Sequence, residues 1–214
     1  MKLDLNSLPG WFVVTLITIG SVGSVAFAQA QEVGNIAIAA ESMDFNKDGF
    51  DDIALAMQTG STGFVQVLIN DGLGNLGATS ILKELPATPT ALAVGDFTGD
   101  GTRNDIVVGL SDRTVRVYIN NGTGFTAGAV VTLPLGEIPT CVCEVKSGGA
   151  SRFMAISSNY ATGNTSSNLR TFASSGGTGT NVQLITVPRT VHGSDIDDDD
   201  LSDVTAAGST SAET

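Results

Sequence analysis

Apolar and polar positions alternate in two matching stretches of this 214-residue chain. Val65-Gln-Val-Leu-Ile-Asn-Asp-Gly-Leu-Gly74 and Val115-Arg-Val-Tyr-Ile-Asn-Asn-Gly-Thr-Gly124 place Val, Val and Ile two residues apart, then run into glycine-bearing turns. A period of two puts these side chains on one face of a strand, and the glycines turn that strand into a hairpin. Leu169-Arg-Thr-Phe-Ala-Ser-Ser-Gly-Gly-Thr178 is a worn copy of the same stretch. A second kind of strand is more continuously apolar, Ile53-Ala-Leu-Ala56 and Ile106-Val-Val-Gly109, with Val204-Thr-Ala-Ala207 in the corresponding place of a third copy. Ile53–Ala56 and Ile106–Gly109 read as buried strands. No stretch beyond the amino terminus keeps a helical period over three turns.

Each continuous apolar run follows an acidic turn. The turns are Asp44-Phe-Asn-Lys-Asp-Gly-Phe-Asp-Asp52, Asp96-Phe-Thr-Gly-Asp-Gly-Thr-Arg-Asn-Asp105 and Asp195-Ile-Asp-Asp-Asp-Asp-Leu-Ser-Asp203. The interval from the second turn to the third is about twice that from the first to the second, so a degenerate copy should lie between them. Glu144-Val-Lys-Ser-Gly-Gly-Ala-Ser-Arg-Phe153, followed by Met154-Ala-Ile-Ser157, fills that place. Each unit is then a strand, an acidic turn, a strand, a loop, a strand, a glycine turn and a fourth strand such as Thr79–Lys83 or Ala129–Leu133. Four strands in roughly 50 residues is the arithmetic of a β-propeller blade. The expected fold is all-β, with blades of four antiparallel strands. The units span about 35–87, 88–135, 136–188 and 189–214, the last being half a unit, which predicts an open or partial propeller of about three and a half blades. An open arc of this kind leaves a strand edge near Val204–Ala207, with self-association as one way to cover it.

The acidic turns carry the candidate chemistry. In the first, oxygen-bearing side chains fall at positions 1, 3, 5 and 9, namely Asp44, Asn46, Asp48 and Asp52, with Gly49 at the sharp bend and the Phe50 carbonyl available at position 7. Oxygens at this spacing wrap a hard cation, which is calcium chemistry. An EF-hand or dockerin-type loop begins the same way, but it needs an acid at position 12 and flanking helices. Position 12 here is Leu55, and a strand follows. The second turn keeps Asp96, Thr98 and Asp100, but one extra residue delays its last acid to Asp105. The last turn keeps Asp195, Asp197, Asp199 and Asp203, with Asp200 in place of the glycine. The degenerate copy has Lys146 and Phe153 at ligand positions and is expected to bind no metal. More than half of the chain's 22 acidic residues lie in the three intact turns, and a bound divalent cation would relieve their repulsion.

Composition narrows the function. The formal charge is −12, with only 10 Lys and Arg, which disfavours nucleic-acid binding. The single histidine, His192, excludes a multi-histidine metal centre and reads as a packed or solvated strand residue rather than a base. Cys141 and Cys143, one residue apart, read as reduced, packed thiols, because a disulfide at that spacing in a strand would be strained. At the amino terminus an apolar run over 11–19 leads to Ala26-Phe27-Ala28-Gln29-Ala30, which fits the A-x-A pattern of signal cleavage. Residues 1–30 are therefore expected to be a secretory signal, an uncleaved anchor being the alternative. That places residues 31–214 outside the cytoplasm as a secreted, periplasmic or cell-surface domain, with no membrane attachment after cleavage.

The Asp-x-Asn-x-Asp-Gly-x-x-Asp turn with its apolar strand, and the Val-x-Val-Tyr-Ile-Asn-Asn-Gly-x-Gly stretch, resemble the FG-GAP and VCBS-like repeats of integrin-type β-propellers. The literal Phe-Gly and Gly-Ala-Pro signatures are missing, so the chain looks like the bacterial secreted branch. The resemblance implies a calcium-stabilised propeller used for adhesion, recognition or structure. Carried over by position, it implies Ca2+ ligation by Asp44, Asn46, Asp48, Phe50 (carbonyl) and Asp52. The equivalents are Asp96, Thr98, Asp100 and Asp105 in the second turn, and Asp195, Asp197, Asp199, Leu201 (carbonyl) and Asp203 in the last. The expected partner is a protein or carbohydrate at the cell surface or matrix. The competing expectation is the propeller portion of an extracellular polysaccharide-active enzyme, but no catalytic constellation stands outside the repeat, so no enzymatic activity is expected.

Overall fold

The computed structural model describes residues 35–146, 152–160, 167–173, 175–176, 180–184, 187–199 and 201–209. The expected signal segment lies outside the described residues, as do Asp200 and residues 147–151 of the degenerate turn. Among the described residues no helix is long and apolar enough to cross a membrane.

The fold is all-β and its strands group as the repeat dictates. The first blade is β1 (Asn35–Met43), β2 (Asp52–Thr59), β3 (Thr62–Asn70) and β4 (Leu76–Leu85). The second is β5 (Pro89–Gly95), β6 (Asp105–Leu110), β7 (Thr114–Asn120) and β8 (Phe125–Thr132). The third is β9 (Glu137–Lys146), β10 (Arg152–Tyr160), β11 (Ser167–Ala173) and β12 (Thr180–Leu184). A two-stranded sheet follows, β13 (Val187–Ser194) and β14 (Asp203–Ser209). Every neighbouring pair is antiparallel and each blade meanders in chain order. This is the three-and-a-half-blade arrangement read from the repeat.

First strands lie inside. β5 packs on β1, β9 on β5, and β13 on β9. The hydrophobic clusters lie between blades. Met43, Phe45, Val65 and Val67 of the first blade meet Leu92, Ile106, Leu110, Tyr118 and Phe125 of the second. Val107, Val115 and Leu133 of the second meet Val142, Ile156 and Phe172 of the third. Cys143 and Val145 of the third meet Val191 of β13. A blade covered on both sides needs apolar side chains on both faces of its strands. β6 is therefore buried at every residue, which explains why Ile106-Val-Val-Gly109 shows no alternation. Both cysteines are reduced thiols, Cys141 half-buried and Cys143 buried.

The acidic turns join the first two strands of a blade. They bridge the terminal pairs Met43–Asp52, Gly95–Asp105 and Ser194–Asp203. The last acid of each turn is thus the first residue of the second strand, which fixes it against the sheet.

Candidate metal centre

The three turns share one hydrogen-bond scheme. Their closing carboxylates accept from the position 2 amide: Asp52 Oδ2 from Phe45 N–H at 2.9 Å, Asp105 Oδ2 from Phe97 N–H at 3.2 Å, and Asp203 Oδ2 from Ile196 N–H at 3.0 Å. The opening carboxylate accepts from position 5: Asp44 Oδ1 from Asp48 N–H at 3.1 Å, Asp96 Oδ1 from Asp100 N–H at 3.0 Å, and Asp195 Oδ1 from Asp199 N–H at 3.1 Å. The position 5 acid accepts from the amide two residues on, with Asp48 Oδ1 to Phe50 N–H at 2.9 Å and Asp199 Oδ1 to Leu201 N–H at 2.9 Å. The carboxylates therefore hold the loop in shape as well as offering lone pairs outward.

Two backbone positions make the bend. Gly49 and Gly101 have φ of 89° and 87°, as position 6 requires. Position 4 is left-handed too, at Lys47 (62°), Gly99 (78°) and Asp198 (61°). The sequence carried no signal for the second bend, since lysine is a poor left-handed residue and only Gly99 hints at it.

A second set of residues was read only as a hairpin turn. Asn70 and Asn120 end β3 and β7, and their backbone N–H groups bond the other oxygen of the closing acid. Asn70 N–H reaches Asp52 Oδ1 at 2.8 Å and Asn120 N–H reaches Asp105 Oδ1 at 2.9 Å. Asp52 and Asp105 are consequently buried, and each ties its turn to the third strand. Burial pushes the Asp105 carboxyl up, against the N–H bonds from Asn120, Thr98 and Phe97 that pull it down. The repeated Ile-Asn-x-Gly sequence was the available signal for these clamps.

The turns differ in how far their acids converge. Among the described residues, the three acids whose ligand oxygens lie within 4.8 Å of one another are Asp195, Asp197 and Asp203. All three are exposed, and the Asp197 carboxyl is raised chiefly by the charge on Asp199, then by desolvation, Asp203 and Asp195. An all-oxygen, all-carboxylate set fits a hard divalent cation. Asp195, Asp197, Asp199, Asp203 and the Leu201 carbonyl would hold it, and the ion would supply the positive charge that the crowded loop lacks. In the first turn Asn46 Nδ2 donates to Asp48 Oδ2 at 2.8 Å, so these two ligand positions are paired with each other. The structure does not bring Asp44, Asp48 and Asp52, or Asp96, Asp100 and Asp105, as close together as the last trio.

Residues 44–103, which hold the first turn and most of the second, match the family model of the FG-GAP-like repeat. This segment is similar to an FG-GAP-like repeat. A solved structure, BBS1N in complex with ARL6DN soaked with lead, matches with a TM-score of 0.56 and 14% identity, covering 80% of this chain and 50% of that one. The same complex soaked with mercury matches at a TM-score of 0.49 and 11% identity, covering 93% and 65%. The chain thus spans about half the length of the first of these neighbours, and the likeness shows a shared propeller-type fold. No curated protein matches the chain. The FG-GAP-like turns of the first and second blades are neighbours: Lys47 Nζ lies 4.0 Å from an Asp100 oxygen and 3.4 Å from Thr102 Oγ1. Both ends of this ion pair are exposed, so it contributes little to stability.

Proposed function

We propose that this chain is a secreted, calcium-stabilised module of FG-GAP-like repeats that acts by recognition or scaffolding, without catalysis. The observation that carries the reading is the convergence of Asp195, Asp197 and Asp203 within 4.8 Å on a left-handed bend. Three carboxylates held that close repel one another, and a divalent cation reverses the sign of that contribution. Export is supported by the apolar run over 11–19 and the A-x-A sites after it. Recognition of a protein or carbohydrate at a surface or matrix follows from loops rich in Gly, Ser and Thr around a rigid sheet scaffold. The propeller neighbour was itself solved in complex with a second protein, ARL6DN, which supports protein binding as the mode.

Equilibrium dialysis of residues 31–214 against calcium and against magnesium tests the proposal. Saturable calcium binding that Asp197→Asn weakens is the expected result. No binding, or binding indifferent to that substitution, would overturn it. Turnover of acidic or neutral polysaccharides by the same protein would overturn the non-catalytic part alone.

A further inference from the structure

A cavity of about 470 Å³ opens between the inner strands, on the side of the acidic turns. Its wall takes an ionisable residue from every blade: Glu41 on β1, Arg103 from the second turn, Glu144 and Lys146 on β9, His192 on β13 and Asp195 at the start of the last turn. The volume is in the range of small-molecule sites. Among the described residues no Phe, Tyr or Trp side chain lines it.

Arg103 is held in a fixed pose. Its Nε donates to Glu144 Oε2 at 3.1 Å and its Nη2 to the Val94 carbonyl at 3.0 Å. Glu144 is itself fixed, with its side chain 7% exposed and Oε1 accepting from Asp96 N–H at 3.2 Å. The arginine side chain is 62% exposed, and its Nη1 takes part in neither of these bonds. The guanidinium is thus anchored through Nε and Nη2, and Arg103 lines the cavity. A guanidinium ordered in advance suits a carboxylate, because little side-chain entropy is lost on binding.

Both residues depart from the repeat. The second turn has three residues between Gly101 and Asp105, where the first has two between Gly49 and Asp52, and the insertion carries Arg103. The third turn opens with Glu144 where the other three open with aspartate. The longer glutamate reaches back to the preceding blade and grips the inserted arginine. Insertion and substitution make one device, and that device faces the cavity.

We propose that this cavity binds a small zwitterion bearing one carboxylate and one ammonium, with the carboxylate on Arg103 and the ammonium on Glu41. Lys146 adds a positive charge to the wall and Asp195 a negative one. Glu41 and Arg103 line the same cavity, so both ends of the site face one small space. A free amino acid or a dipeptide has this chemistry. The proposal does not rest on the cation reading of the acidic turns.

Calorimetric titration of residues 31–214 in calcium-containing buffer tests it with three probes: glycylglycine, succinate and cadaverine. Glycylglycine should bind tighter than the dianion or the dication. Arg103→Gln should abolish its binding, and Arg103→Lys should weaken it about tenfold, the scale of one charged hydrogen bond. Arg103 also supports Glu144, so its loss can perturb folding. The exposed Glu41 gives the independent variant. Glu41→Gln should weaken glycylglycine about tenfold while sparing any succinate binding. Absence of glycylglycine binding, equal binding of all three probes, or wild-type affinity in Glu41→Gln would each overturn the proposal.

Discussion

The Asn120 side-chain amide donates to the Phe45 carbonyl at 2.7 Å, tying the third strand of the second blade to the acidic turn of the first. The same residue bonds Asp105 Oδ1 through its backbone N–H at 2.9 Å and accepts from Gly122 N–H at 2.7 Å through Oδ1. One asparagine thus closes its own turn, orders the following hairpin and joins two blades. Asn120→Asp keeps the acceptor for Gly122 but loses the donor to Phe45. It should lower stability by about 1–3 kcal/mol, the cost of a part-buried carbonyl left without its donor. A shift in the urea midpoint measures this, and an unchanged midpoint would show that the blades do not depend on the bond.

Gly49 and Gly101 are strained for any other residue, though nothing lies within 4 Å of an added Cβ at either. The penalty there is conformational and not steric. Gly49→Ala and Gly101→Ala should each cost about 1 kcal/mol. Gly124→Ala is the control: its φ is not in the left-handed region and its Cβ would meet only Asn121 Oδ1 at 4.0 Å. Thermal melts should separate the first two from the third.

The turn after β3 predicts an acid-dependent step. Asp71 Oδ2 accepts from Asn75 Nδ2 at 2.7 Å, and Oδ1 accepts from Leu73 N–H at 2.8 Å. Those bonds, the Asn75 side chain first, hold the Asp71 carboxyl below the ordinary 3.8. A depressed acid favours the folded turn above its unfolded pKa, and that contribution disappears as the pH falls through the lower folded value. Carboxyl chemical shifts should report Asp71 titrating below a solvated aspartate. Asp71→Asn copies Asn121 of the second blade and should remove this component of acid sensitivity.

The blade count was legible because each element carries its own signal. Alternation marks β3 and β7, continuous apolar runs mark β2 and β6, and the acidic turn between strands one and two sets the phase. The cross-blade contacts were not legible. Asn120, Glu144 and Arg103 meet partners on other blades or turns, and a period of about 50 residues says nothing about which side chains face across it. The metal pattern was legible as spacing, yet spacing does not reveal that Asp52 and Asp105 are committed to backbone amides of the third strand. Glu144 looked like decay of a ligand set because its use lies in another unit.

Calcium should act with opposite signs on one substitution. Asp197 is raised by its acidic neighbours, so its charge disfavours the cation-free turn. Asp197→Asn should leave the chelated protein as stable as the wild type or more so. With calcium present at a hundredfold excess over its Kd, the wild type should gain about a hundredfold in its folding equilibrium from that site, and the variant should not. Paired melts with calcium and with chelator measure the crossover. Parallel curves for the two proteins would remove the cation from the fourth turn.

The position 2 side chains of the turns provide the sharpest comparison between blades. Phe45, Phe97 and Ile196 occupy the same place in the repeat, and each gives its N–H to the closing acid of its own turn. Their surroundings differ. Phe45 is 1% exposed and meets Phe125 of the next blade edge-on, with ring centroids 5.3 Å apart. Phe97 is 4% exposed, in the cluster that contains Ile156 and Phe172 of the third blade. Ile196 is 61% exposed. Removing a buried aromatic ring loses its transfer energy and leaves a cavity, so Phe45→Ala and Phe97→Ala should each cost about 3–5 kcal/mol. Ile196→Ala should stay within about 0.5 kcal/mol of the wild type, as exposed substitutions do. Urea unfolding of the three variants side by side tests the assignment of these residues as plugs between blades. A large loss at Ile196 would mean that in solution this face is covered, and that its plug is seated as the other two are.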